Sequence, residues 1–483
     1  MTKKIALLIS ILCTYFSVQA QEKVLELPDS FSSTPSLSKE SYALPNQLLD
    51  GLMLLLEERK KFKSYLFDAN YALKAKITTE VLPHKYKNLL GYNIHENNYS
   101  LFFTNNRNTK FGVQIFDFKN EVSSIKLLDF KLKKEMFIDA VNYKNKIHIL
   151  TVSKGTSDLN IYTFDKNLTA HKNVVSLKHL EYKNPINGFT FFAHNIFSHN
   201  DIAKIESNSP NVIETTSKEI KIYQQNQQLI LSFDHRIKNT HLYYIDLNTY
   251  QTTHKTIEKP SYKEEGFVKS NSYIFDNKIF QIASSNKKMK FTIKDLSTKE
   301  KIREYAIHKK DTITFKNSPI IQEGGGAFPG ISENQVREME KTAKYLRKIS
   351  SANLGISVYK VDGKYNIILG GTKKINSGGT FASGFGTVGT IGSTGAFSVG
   401  FNPTFYGYGG YSSTKSTYIN CLFDVNFNHV KGDIPLNSFD RINDFEDTLD
   451  DPFAVNLFRH HQQLHFGYFD RKDKTYKLYK FEK

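Results

Sequence analysis

The chain has 483 residues, a formal charge of +17 and a hydrophobic content of 39%; it is rich in Phe (37) and Tyr (27) and has no Trp. Few apolar positions filled by large aromatic side chains suit strands, and the missing Trp excludes repeat signatures built on a Trp-Asp pair. The basic surplus is Lys, 56 against nine Arg, which favours solubility and salt-sensitive attraction to acidic surfaces; with no recognition helix, zinc spacing or aromatic RNA motif, nucleic acid is not an expected partner.

Residues 1–20 join Lys3 and Lys4 to an apolar stretch and the tripeptide Val18-Gln19-Ala20. This is the layout of a cleavable secretory signal. Cutting before Cys13 as a lipoprotein is the weaker reading, because Leu12 is a poor fit for the small residue required there. The chain is therefore expected to be exported, periplasmic or peripheral to the outer membrane, and monomeric, with no appended sorting domain. No other segment is apolar over a length that spans a bilayer. Once the signal is removed Cys421 is the only thiol, and it shares a strand face with Ile419 and Phe423 in YINCLFD, so it reads as a core residue. Residues 21–45 form an N-terminal arm rich in Ser and Pro. Its short run at 24–27 can close the ring beside the last repeat, and a disordered arm is the equal alternative.

From residue 46 onward one phrase recurs: an apolar run, a polar turn, a second apolar run and an acidic residue. The clearest copy, YKNKIHILTVSKGTSDLNIYTFD, ends at Asp165, and others end at Asp68, Asp117, Asp246, Asp295, Asp424 and Glu482. The spacing is 49 from Asp68 to Asp117, 48 to Asp165, and 49 again from Asp246 to Asp295. Hairpins at this period, each with a leading and an outer strand, predict an all-β fold over residues 46–483, a β-propeller of about seven (six to eight) four-stranded blades. In the first copy Leu48, Leu49, Leu52, Leu55 and Leu56 also fit a helix face; the phase of Asp68 against Asp117 favours strands. Five of the ends continue as Asp-x-Asn or Asp-x-Ser, at Asp68, Asp165, Asp246, Asp295 and Asp424. A carboxylate there can accept amide hydrogens of the following turn. Calcium is the rival reading, and repetition at equivalent points favours the structural one.

Two intervals are too long for one repeat, Asp165 to Asp246 and Asp295 to Asp424, and hold insertions or a degenerate blade. In the second, residues 322–350 are expected to form an inserted loop and a helix. That helix would start at Ser332, with Gln335 completing a capping box and Val336, Met339, Ala343 and Leu346 in one apolar stripe. Residues 375–414 form a Gly/aromatic-rich insertion at a hairpin tip, with no charge between Lys374 and Lys415. The period and strand pattern resemble the β-propeller architecture, and in particular secreted propellers of Gram-negative envelopes. That resemblance implies a fold and no catalytic residues.

Candidate sites are few. In the insertion, Phe397, Phe401, Phe405, Tyr406, Tyr408 and Tyr411 are candidate partner-binding residues, for an envelope protein or glycan or for peripheral membrane contact; a disordered loop is the plainer reading. Gly384-Phe-Gly386-Thr-Val-Gly389 matches a dinucleotide fingerprint and Ser398 a variant nucleophile elbow. Both are discounted, because neither sits in a strand-to-helix unit. Histidines cluster weakly at His194, His199 and Asp201 and at His460, His461 and His465. In FDRINDFEDTLDDPF, Asp440, Asp444, Glu446, Asp447, Asp450 and Asp451 crowd into a loop, where calcium is the candidate ligand and a solvated acidic loop the alternative. No other cofactor is expected. The functional expectation is a non-catalytic exported binding or scaffold protein of the envelope. The alternative is a hydrolase or lyase acting on a polysaccharide, with carboxylates lining the propeller mouth; such an enzyme gathers carboxylates at one end of the axis, whereas a scaffold shows Lys, Asn and Ser there.

Overall fold

The computed structural model describes residues 21–481, apart from 29, 33–38, 181–188, 200, 201, 208, 236, 237, 261–265, 325–335 and 375–413. The residues of the signal, residues 375–413 of the Gly/aromatic insertion, and Glu482 thus lie outside the described residues. Each recurring apolar run is a strand, and the strands gather into seven sheets, five of four strands and two of five. The chain is a seven-bladed β-propeller. The first copy is strand throughout, Leu52–Glu58 pairing with Lys61–Phe67. Leu48 and Leu49, which favoured a helix, sit exposed in the turn before it. The long interval after Asp165 is an insertion, not an eighth blade.

Strands are lettered A to D from the axis outward. Central strands are buried on both faces because blades stack face to face. One apolar cluster joins blades 1 and 2 through Phe62, Phe103 and Phe116, and another joins blades 4, 5 and 6. The ring closes between blades 7 and 1: strand Gln21–Pro28 pairs antiparallel with Thr475–Phe481 as the outer strand of blade 7. Leu27 there shares a cluster with Leu54 of blade 1 and Leu478 of blade 7. Ser41 ties the same seam from inside, its hydroxyl donating to the Ala454 carbonyl at 2.7 Å.

Blade 6 departs from the repeat. Its outer strand, Ile320–Glu323, precedes its inner strands in sequence and pairs with Thr414–Phe423. Arg337–Met339 adds a fifth strand outside it. The expected helix is therefore corrected: the described part of its first turns is strand, and the helix is Thr342–Ser350, burying Tyr345, Leu346 and Ile349. Pairing with an open sheet edge satisfies more backbone groups at 337–339 than a helix end would.

Three further α-helices occur among the described residues, Phe191–His199, Ile213–Thr216 and Ser438–Glu446. The last corrects the acidic loop. Asn437 and Asp440 form a reciprocal capping box, and Phe439, Ile442 and Phe445 pack the helix on blade 7. Asn437 also donates to the Tyr359 hydroxyl of blade 6 at 3.2 Å, so the helix fills the wedge between those blades.

The acid-ended turns join strand C to strand D in blades 1 to 5, and in blade 6 the same turn follows strand C at Asp424. In all six the carboxylate accepts two backbone amides, for example Asn167 and Thr169 on Asp165, both at 2.9 Å, and Asn248 and Thr249 on Asp246 at 2.8 and 2.9 Å. The backbone amide of Thr169, Thr249, Thr298 or Asn428 is the largest cause holding Asp165, Asp246, Asp295 and Asp424 below the usual carboxylate range. Each turn then places one residue in the left-handed region, among them Tyr71 (φ 60°), Tyr250 (φ 59°) and Phe427 (φ 59°). These aromatic rings reach the third residue of strand B in the preceding blade. Tyr71 lies 5.8 Å from His465, Tyr250 6.4 Å from His148 and Phe427 5.7 Å from Phe280. The Asp turn thus doubles as a latch between blades, and the contact offsets the cost of a left-handed aromatic residue, roughly 1–2 kcal/mol.

Candidate functional site

A propeller's natural ligand site is the mouth of its axis, so the residues there decide what chemistry is available. Four strands meander outward in each blade, so B-to-C hairpins and D-to-A connections share one end of the ring, the BC end. The A-to-B and C-to-D turns share the other, the AB end. The long insertion before blade 4 enters the axis itself. Strand Ile202–Ile205 pairs in parallel on the inner side of Ile220–Gln225, the A strand of blade 4. The chain then returns and forms the short helix Ile213–Thr216 at the BC end.

This axial segment touches five blades. The Lys204 ammonium meets the Asp139 carboxylate at 3.0 Å and donates to the Ala140 carbonyl at 2.9 Å, both in blade 3. Asn211 donates to the Tyr273 hydroxyl of blade 5 at 3.0 Å, and its backbone amide donates to Ser357 of blade 6 at 3.3 Å. Arg459 of blade 7 donates to Ser209 at 2.5 Å. Helix Ile213–Thr216 lies so close to blade 6 that a Cβ on Gly355 would stand 2.7 Å from Ile213 Cγ1. At the AB end, Asn145 of blade 3 donates to Asn46 of blade 1 at 2.7 Å and accepts from the Gln47 amide at 2.8 Å.

Under the axial helix, between blades 4 and 5, lies a buried charge cluster. Asp234 ends strand B of blade 4, and Lys221 and Lys259 approach its two oxygens at 3.2 and 3.3 Å. All three side chains are essentially inaccessible to solvent. Thr240 and Ser272 donate to the same carboxylate at 2.8 Å. Burial pushes this carboxyl up, but Lys259 and then Lys221, with those donors, hold it well below the usual range. Lys221 also donates to Asn271 Oδ1 at 2.6 Å, and Asn271 in turn donates to the carbonyls of Thr216 and Leu354. The network ties the axial helix to blades 4, 5 and 6. Asp234 faces cations on both oxygens, an arrangement that keeps it ionised and unsuited to proton transfer.

The sequence candidates are dispersed. Asp440 is engaged in its helix cap, Asp451 pairs with Arg471 at 2.7 Å, and Asp450 pairs with Lys472. Asp444 and Glu446 lie on the same short helix, and Asp447 is its C-cap. Among the described residues no group of three or more His, Cys, Asp or Glu side chains is placed to hold a metal ion. Phe397, Phe401, Phe405, Tyr406, Tyr408 and Tyr411, the Gly384–Gly389 motif, Ser398 and Asp201 lie outside the described residues. Cys421 is buried in the core, and burial pushes its thiol up.

His460 and His465 come together at the seam of blades 7 and 1. His465 Nδ1 lies 3.2 Å from the Gln463 carbonyl and Nε2 2.6 Å from the Tyr71 hydroxyl. The neutral ring satisfies both contacts, donating through Nδ1 and accepting at Nε2. Burial lowers His465 to about 3 and His460 to about 4. They act as internal cross-links between blades. No helix among the described residues is long and apolar enough to cross a membrane.

What the sequence reading missed is the axial segment and the cation pair on Asp234. The only signals were the excess length after Asp165 and lone Lys residues inside apolar strands.

No family model matches the chain, and no curated protein does. Among solved structures it is similar to the Vanderwaltozyma polyspora Nup133 β-propeller domain, at 11% identity and TM-score 0.33, over 95% of this chain and 97% of that one. It is also similar to the Dos1 propeller, at 10% identity and TM-score 0.30, over 95% of each. A third match, Synechocystis apocarotenoid oxygenase, has 7% identity and TM-score 0.28, and the matched part spans 56% of this chain and 61% of that protein.

Proposed function

We propose that this protein is a non-catalytic binding or scaffold propeller of the cell envelope, taking a protein or glycan partner at the BC end, from which the Gly/aromatic stretch 375–413 departs. The observation that carries this reading is the filled axis. The place where a propeller enzyme would assemble its carboxylates holds the chain's own segment, with Lys204, Ser209, Asn211, Lys221, Asn271 and Ser357 bonded to each other's blades. Of the acidic groups there, Asp139 and Asp234 are bound to lysines and Glu214 accepts from Thr414. Rigid inner packing leaves recognition to the ends of the ring.

The test removes residues 378–410 and compares the variant with the full chain by thermal melting and by binding to envelope fractions and a glycan array. Nearly unchanged melting with loss of binding is the expected outcome. Unchanged binding ends the role given to the stretch, and release of reducing ends from a polysaccharide would replace the reading with the hydrolase or lyase.

A further inference from the structure

The BC end of blade 6 carries a cluster of cations without acidic partners among the described residues. Lys373 and Lys415 stand directly opposite each other on paired strands, with Lys374 next in line opposite Thr414. Like charges facing each other across a ladder oppose pairing. Helix Thr342–Ser350, packed on the same blade, adds Lys344, Arg347 and Lys348, and the outermost strand adds Arg337. Lys348 Nζ donates to Gln322 at 3.0 Å, and Gln322 is the strand partner of Arg337. Burial first, then the nearby charges of Lys415, Arg337, Arg347 and Lys344, hold the Lys348 ammonium below its usual value. None of these seven cations has an ion pair among the described residues. Of the nearby acids, Glu214 accepts from Thr414, Glu323 from Tyr418, and Glu340 reaches toward Lys316. Glu338 is exposed on the short outer strand.

We infer that this cluster is a docking surface for an anionic phospholipid bilayer. The site is the seven cations; two observations favour a bilayer over a soluble polyanion. Lysines are preferred over Arg, five to two, and diffuse attraction to a charged surface needs no guanidinium fork. The chain leaves the described fold after Lys374 and returns at Thr414, and between these points the sequence has no charge and eight Phe and Tyr. Peripheral attachment is stable when a basic cluster and an apolar element act together. The inference rests on the proposed reading only in taking the BC end as the contact end.

The experiment is vesicle co-sedimentation of the full chain, using phosphatidylcholine vesicles with and without phosphatidylglycerol, and heparin beads as a soluble polyanion. Binding is expected only with phosphatidylglycerol and should fall with salt. The variant Lys344→Gln, Arg347→Gln, Lys415→Gln is expected to bind roughly a hundredfold more weakly, about fivefold per cation, with unchanged melting. A control with the same net charge, Lys119→Gln, Lys166→Gln, Lys299→Gln, alters turns at the AB end and should bind as the parent does. Equal loss in both variants, absence of vesicle binding, or capture by heparin alone each overturns the inference. Because the test leaves 375–413 intact, its failure is separate from failure of the deletion experiment.

Discussion

At the scale of single residues, the most consequential group is Asp234. Its removal would strand Lys221 and Lys259 as buried charges, and breaking a buried pair in this way costs about 3–5 kcal/mol. Asp234→Ala is expected to lower stability by about that much in urea denaturation. Asp246→Ala, which removes a carboxylate from an exposed turn, should cost far less. The two acids look alike in sequence, each closing an apolar run; burial separates them. The histidines give a pH dependence whose sign is fixed. His465 and His460 have folded values depressed to about 3 and about 4, below the ordinary value of roughly 6.5. The unfolded chain therefore takes up protons that the folded chain refuses as pH falls from about 6.5 to about 4, and stability declines through that window. Urea midpoints measured at steps from pH 7 to pH 4 should fall steadily. Replacing His465 with Gln should flatten part of that slope.

At the scale of elements, strand Gln21–Pro28 matters most, because it covers the edge of blade 7 and shares a cluster with blade 1. Deleting 21–28 is expected to lower the melting temperature and promote self-association, as the exposed Thr475–Phe481 strand becomes an open template. Unchanged melting and a monomeric light-scattering mass would show that closure depends on the inner strands alone. The same edge problem explains part of the Lys surplus. Every outermost strand carries a basic residue, among them Lys74, Lys126, Lys172, Lys255, Lys301, Arg337 and Lys23. Charges on an edge discourage pairing with another chain. The blade 6 cations beyond Arg337 lie on the helix and on inner strands, where this explanation does not reach.

At the scale of the whole molecule, the ring is held without disulfides by blade-to-blade clusters, latching turns and the chain that threads the axis. The sequence by itself determined the strands, the hairpin period and the Asp turns, because each depends on residues a few positions apart and repeats often enough to be read against itself. The closing strand was one of two readings open to the N-terminal arm, and its pairing with the last blade strand decided between them. The tertiary structure alone decided the axial segment, the Asp234 cluster and the His465 contact with Tyr71, which join residues dozens to hundreds of positions apart. It also decided that the outer strand of blade 6 precedes its inner one, and that an acidic stretch is a capped helix. Local pattern says which face of a strand is apolar; only closure of the ring decides which face meets another blade, the axis or water.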